Sequence, residues 1–100
     1  MILVSGRVPI LPERRAEAVE AVHAVVSATQ NEAGCIAYDF YADLADPNVF
    51  HVFEEWETMD ALNAHLKQPH TVAFLQALPQ YIAGPPVVKS YEVASAQSLL

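Results

Sequence analysis

Eight residues near the middle of the chain, Val49 to Trp56, alternate with period two, and that constrains the fold more than any other feature. Phe50, Val52, Glu54 and Trp56 fall on one side of the strand this predicts. His51, Phe53 and Glu55 fall on the other. A half-buried strand of this kind needs helices over its apolar side. It also places a carboxylate among apolar residues, where Glu54 must be hydrogen-bonded, shifted in pKa or put to use.

The flanking segments supply the rest of the architecture. Ile2, Val4, Val8 and Ile10 alternate as a first strand, with Gly6 a weak point where a bulge or a close neighbour is expected. Pro12 suits the first position of a helix, although Leu11 offers no capping side chain. Val19, Val22, Val25, Val26 and Thr29 form the 3.6-residue stripe of that helix, and Asn31 and Gly34 end it. Cys35 to Tyr41 reads as a second strand with Ile36, Tyr38 and Phe40 on one side. Asp46-Pro47-Asn48 marks the turn into the third. Thr58 opens a short helix carrying His65, and Gln68-Pro69 starts another carrying His70 and Phe74. Pro79 and Gly84-Pro85-Pro86 break it before a last strand, Val87 to Val93.

The order β-α-β-β-α-α-β predicts an α+β ferredoxin-like sandwich over residues 1–93, with 94–100 as a C-terminal tail. Helices would cover one sheet face. The other face is expected to be bare and apolar, so a second copy should cover it as a homodimer. Composition points the same way. Hydrophobic residues make up 53% of the 100 residues and charged residues only 17%, which is apolar for a small monomer.

Charge narrows the partners. The formal net charge is −7 with only five Lys and Arg, so neither nucleic acid nor an anionic membrane surface is expected. No apolar run approaches the ~18–20 residues of a membrane span. No basic segment followed by a long apolar run marks a signal peptide, so a cytoplasmic protein is the default expectation. Cys35 is the single cysteine and reads as a structural thiol, with no internal disulfide.

Three side-chain sets carry chemistry. His65 and His70 lie five apart across Pro69, a spacing that does not share one helical face. A metal site would need Glu54 or His51 as third ligand, and none is expected. One of the two His is instead expected to serve as a neutral pocket base or hydrogen-bond donor. Glu54 is either a structural acceptor, an orienting partner for His65, or a group that polarises a ligand hydroxyl. Tyr38 is either an ordinary core-edge phenol or a hydrogen-bond partner for an aromatic substrate. His23 and His51 read as solvent-facing. Gly-rich phosphate loops and nucleophile elbows are absent, so flavin, nicotinamide and other cofactors are not expected.

The run Glu54-Glu55-Trp56, then Ala61-Leu62, His65, His70 and Phe74, resembles the antibiotic biosynthesis monooxygenase domain. Glu32-Ala33-Gly34-Cys35-Ile36-Ala37-Tyr38 is similar to that family's entry into its second strand. The resemblance runs from Ile2 to about Val93 and implies a dimeric α/β barrel with a pocket between each sheet and its helices. It implies oxygenases that need neither metal nor prosthetic group, because quinol and anthrone substrates carry their own reducing power. Where the anthrone branch has Asn, Tyr and Arg, this chain has Val52, Leu62 and Gln76. Where the haem-degrading branch has Asn, Trp and His, it has Gly6, His65 and Leu75. What remains resembles the quinol-monooxygenase-like branch.

The expectation is therefore a cofactor-independent monooxygenase of a small quinol or phenol, with O₂ as co-substrate. His65 would be the base, Glu54 its partner or a hydroxyl acceptor, and Trp56, Phe74, Tyr38 and His70 the substrate contacts. A small-carbonyl isomerase or tautomerase using the same pair, and a non-catalytic dimer binding a small aromatic, are the alternatives.

Overall fold

The computed structural model describes all residues, Met1–Leu100. Four strands form one antiparallel sheet in the order β2-β3-β1-β4. They are β1 (Ile2–Pro9), β2 (Cys35–Ala42), β3 (Val49–Trp56) and β4 (Val87–Glu92). Three α-helices, α1 (Arg15–Thr29), α2 (Met59–Leu66) and α3 (Pro69–Ala77), lie on one side, with short 3₁₀ turns at Pro12–Arg14 and Leu78–Gln80. This is the ferredoxin-like α+β architecture that the element order predicts. Residues 94–100 carry no helix or strand.

The helix starts follow from local chemistry. Leu11 caps nothing with its side chain, and the chain enters α1 through the 3₁₀ turn that begins at Pro12. Thr58 does cap α2. Its Oγ1 accepts from the Ala61 N–H at 3.1 Å, an interaction typically worth ~1 kcal/mol. Pro69 occupies the first turn of α3, where its missing N–H costs nothing.

The core lies between sheet and helices. Ile2, Val4, Trp56, Leu62, Phe74 and Val25 form its larger part, while Val8, Ile10, Ala18 and Phe50 form a second cluster. Val4 pairs with Glu54 and Gly6 with Val52, so the apolar face of β3 continues onto β1.

Two expectations need correction. Ile36 does not share a face with Tyr38. The register slips between Cys35 and Ala37, and this bulge leaves Ile36 51% exposed while Tyr38 is buried. The uncovered sheet face is also not uniformly apolar. Leu3, Phe53, Val87 and Tyr91 alternate in the register with Ser5, Arg7, His51, Glu55 and Lys89.

Gly6 is a close-approach position. A Cβ there would meet the Val87 carbonyl oxygen at 2.5 Å and the Val88 Cα at 2.6 Å. The close neighbour is therefore β4, which lies almost on the β1 backbone at this point.

Candidate active site

A cavity of about 390 Å³ opens between the sheet, α2, α3 and β4. Its wall is mainly apolar, with Val4, Val52, Leu62, Phe74 and Val88 among its members. The titratable side chains on the wall are Tyr38, Glu54 and His65; Lys89 borders it through the β4 backbone, its side chain lying by register on the uncovered face. A site of this size and character suits a small organic molecule held by apolar contacts and oriented by a few polar groups.

His65 is brought to the wall by α2 and is only 3% exposed. Its Nδ1 lies 2.7 Å from Glu32 Oε2 and 3.2 Å from Thr71 Oγ1. An ionised carboxylate only accepts, so Nδ1 carries the proton and donates it to Glu32. In the neutral ring, Nε2 then carries the lone pair. Nε2 has no protein hydrogen-bond partner, and the residue itself is part of the cavity wall. The ring is braced by Trp56 at 4.7 Å and Tyr38 at 5.3 Å between centroids.

The partner of His65 is thus Glu32 and not Glu54. Local structure explains how Glu32 arrives there. It sits in the turn that ends α1, with its N–H donating to Thr29 O and its carbonyl accepting from Cys35 N–H. Two residues on, Gly34 has φ +80°, a conformation natural to glycine. A Cβ on Gly34 would come within 2.6 Å of the Ala61 Cβ, so the turn docks directly on α2. His65 lies four residues beyond Ala61, on the same helix face.

Glu54 Oε1 accepts from Trp56 Nε1 at 2.9 Å, and its other oxygen has no protein partner. Burial pushes the Glu54 carboxyl above the ordinary carboxylate value. The Trp56 hydrogen bond and the nearby His65 oppose that rise, and Glu32 adds to it. Burial likewise pushes the Tyr38 phenol well above its ordinary value, helped by the negative charges of Glu54 and Glu32. A side-chain interaction with Thr29 opposes the rise, and the phenol stays protonated.

The other expected contacts divide. Phe74 and Tyr38 are on the cavity wall. Trp56 is fully buried behind His65 and is not part of the wall. His70 is also off the wall. Its Nε2 reaches the same Glu32 oxygen at 2.7 Å. His51 pairs with Asp43 at 2.9 Å. Its register partners Arg7 and Tyr41 put it on the opposite sheet face, so it cannot join a cluster with His65. His23 is exposed.

Comparison with known proteins decides the family. The profile described as antibiotic biosynthesis monooxygenase matches residues 1–77. The chain belongs to this family. An uncharacterised Synechocystis protein, sll1783, is 32% identical over 98% of the chain and 67% of its own length. A Deinococcus radiodurans structure, named as a candidate antibiotic biosynthesis monooxygenase, superposes with a TM-score of 0.92. It is 25% identical and covers 100% of this chain and 99% of that one. Rv0793 from Mycobacterium tuberculosis shares the fold at a TM-score of 0.90 and 23% identity, over 97% and 98% of the two chains. No helix is long and apolar enough to cross a membrane.

Proposed function

We propose that this family member is a cofactor-independent monooxygenase of a small quinol or related phenol. The observation that carries the reading is His65 on the cavity wall with its Nδ1 hydrogen-bonded to Glu32 and its Nε2 without a protein partner. That arrangement holds one tautomer of a buried imidazole ready to accept a proton. The quinol ring would lie against Phe74 and the valines. Its hydroxyl would give a proton to Nε2, and the Glu32 carboxylate would stabilise the resulting imidazolium. Tyr38 would donate to the developing oxyanion. The electron-rich anion then reduces O₂. One oxygen atom enters the ring, the other leaves as water, and the quinol is oxidised to a hydroxylated quinone.

Glu54 supports a second reading. A carboxyl with a raised pKa and a free oxygen on the same wall could return to carbon a proton that His65 removes. That would be isomerisation of a small carbonyl compound. We further propose that the working unit is a homodimer joined through the uncovered sheet face, where apolar and oppositely charged residues alternate.

Oxygen uptake tests these readings together. A panel of hydroquinones is offered to the protein in an oxygen electrode, and stoichiometric O₂ consumption lost in His65→Ala is expected. Turnover that persists without O₂ would favour the isomerase. Binding with no turnover on any substrate would make the protein a carrier.

A further inference from the structure

Glu32, His65 and His70 do more than hold a ring in place. Glu32 Oε2, His65 Nδ1 and His70 Nε2 all lie within 4.8 Å of one another. Three different segments deliver them: the α1–β2 turn, α2 and the first turn of α3. Two imidazoles and a carboxylate form a donor set that divalent zinc and its neighbours favour, with room for water as a fourth ligand.

We propose that this triad is a reversible site for a first-row divalent cation of the zinc type, and that its occupation reverses the tautomer of His65. In the metal-free site both imidazoles donate to one carboxylate oxygen at 2.7 Å. Bonds of about 2.0–2.1 Å to a tetrahedral metal set neighbouring donors roughly 3.3 Å apart. The two contacts need to open by about 0.6 Å, and the two imidazole nitrogens, within 4.8 Å of each other, need to reach a similar separation, for an ion to replace the two shared protons. Glu32 sits in a turn rather than inside a helix or strand, so it can make that adjustment. His70 is a quarter exposed, which gives the ion a route from solvent that bypasses the cavity.

The consequence falls on the other nitrogen of the ring. A metal on Nδ1 needs the lone pair there, so the imidazole proton moves to Nε2. Nε2, the nitrogen without a protein partner, changes from acceptor to donor, with no change in the number of protons on the ring. His70 shifts its own proton from Nε2 to Nδ1 in the same way. If His65 is the base of the proposed oxygenase, metal binding switches that base off. Only this last consequence rests on the functional reading.

The test reads the metal rather than turnover. Metal-stripped protein is titrated with Co²⁺, and the strong visible bands of a four-coordinate ion are followed in wild type, Glu32→Gln and His70→Ala. Saturation at one equivalent is expected in wild type, with affinity at least ~10-fold weaker in each variant. His70 is partly exposed, so its variant remains informative if Glu32→Gln fails to fold. Zn²⁺ added to ¹⁵N-histidine-labelled wild type should move the His65 proton from Nδ1 to Nε2. Equal Co²⁺ affinity in wild type and His70→Ala, or an unchanged His65 tautomer with Zn²⁺ bound, would overturn the proposal and leave the oxygenase reading untouched.

Discussion

Trp56 Nε1 donates to Glu54 Oε1 at 2.9 Å, between two residues that point the same way from one strand. The indole supplies the buried carboxylate with one charge-assisted hydrogen bond, but not with a counter-charge. The net effect is still a carboxyl above its ordinary value of 4.5.

That imbalance has a sign. A folded-state pKa raised above the unfolded value means that the folded protein holds the proton more tightly. Stability from this group is full below about pH 4.5 and is lost as the pH rises through the raised value. Glu54→Gln removes the charge and keeps an oxygen for Trp56. The melting temperature of Glu54→Gln relative to wild type should therefore climb between pH 4 and pH 8. A difference independent of pH would show that Glu54 carries no such burden.

His65→Ala should lower turnover of an accepted quinol by about 10²–10⁴-fold, the range for a lost general base. Glu32→Gln should be nearly as damaging, because the amide can present N–H to Nδ1 and stabilise the wrong tautomer. Losses of up to about 10⁴-fold accompany that error in a comparable carboxylate–imidazole pair. Steady-state rates and circular dichroism on both variants check this. Wild-type rates in Glu32→Gln would remove Glu32 from the mechanism.

Tyr38 should be the phenol that resists ionisation. In an alkaline titration followed by ultraviolet absorbance, wild type should retain one tyrosine that ionises late. Tyr38→Phe should remove that step and leave the earlier ones. A late step surviving in the variant would contradict the burial described for Tyr38.

Light scattering at micromolar concentration should give twice the chain mass of 10.9 kDa. Adding a second charge opposite Glu55, as in Leu3→Glu, should shift the protein toward monomer. A wild-type mass of one chain would refute the homodimer.

The fold was readable from short-range patterns because each element is locally consistent. β3 spans Val49–Trp56, as the alternation predicts, and Thr58 and Pro69 begin helices where their chemistry suits. Ile36 escaped because a bulge changes face without altering composition. The role of Glu32 escaped for a different reason. It meets His65 and His70 across 33 and 38 residues, through a turn that no periodicity marks. The available signal was Gly34. A glycine ending a helix two residues after a carboxylate can dock that turn closely on whatever helix faces it. Glu54 attracted attention through its place on an apolar face, but that position shows burial and does not identify a partner.

The near-contact of β4 with Gly6 fixes where one wall of the cavity stands. Val88 and Ser90 line the cavity from a strand that pairs only with β1. The close seating of that strand on β1 thus depends on the missing side chain at one position. Even a single methyl at residue 6 would press on β4 backbone as well as on the Val88 side chain, so the strand itself would have to move. A glycine at residue 6 is therefore what lets β4 lie close enough to bring Val88 and Ser90 to the cavity.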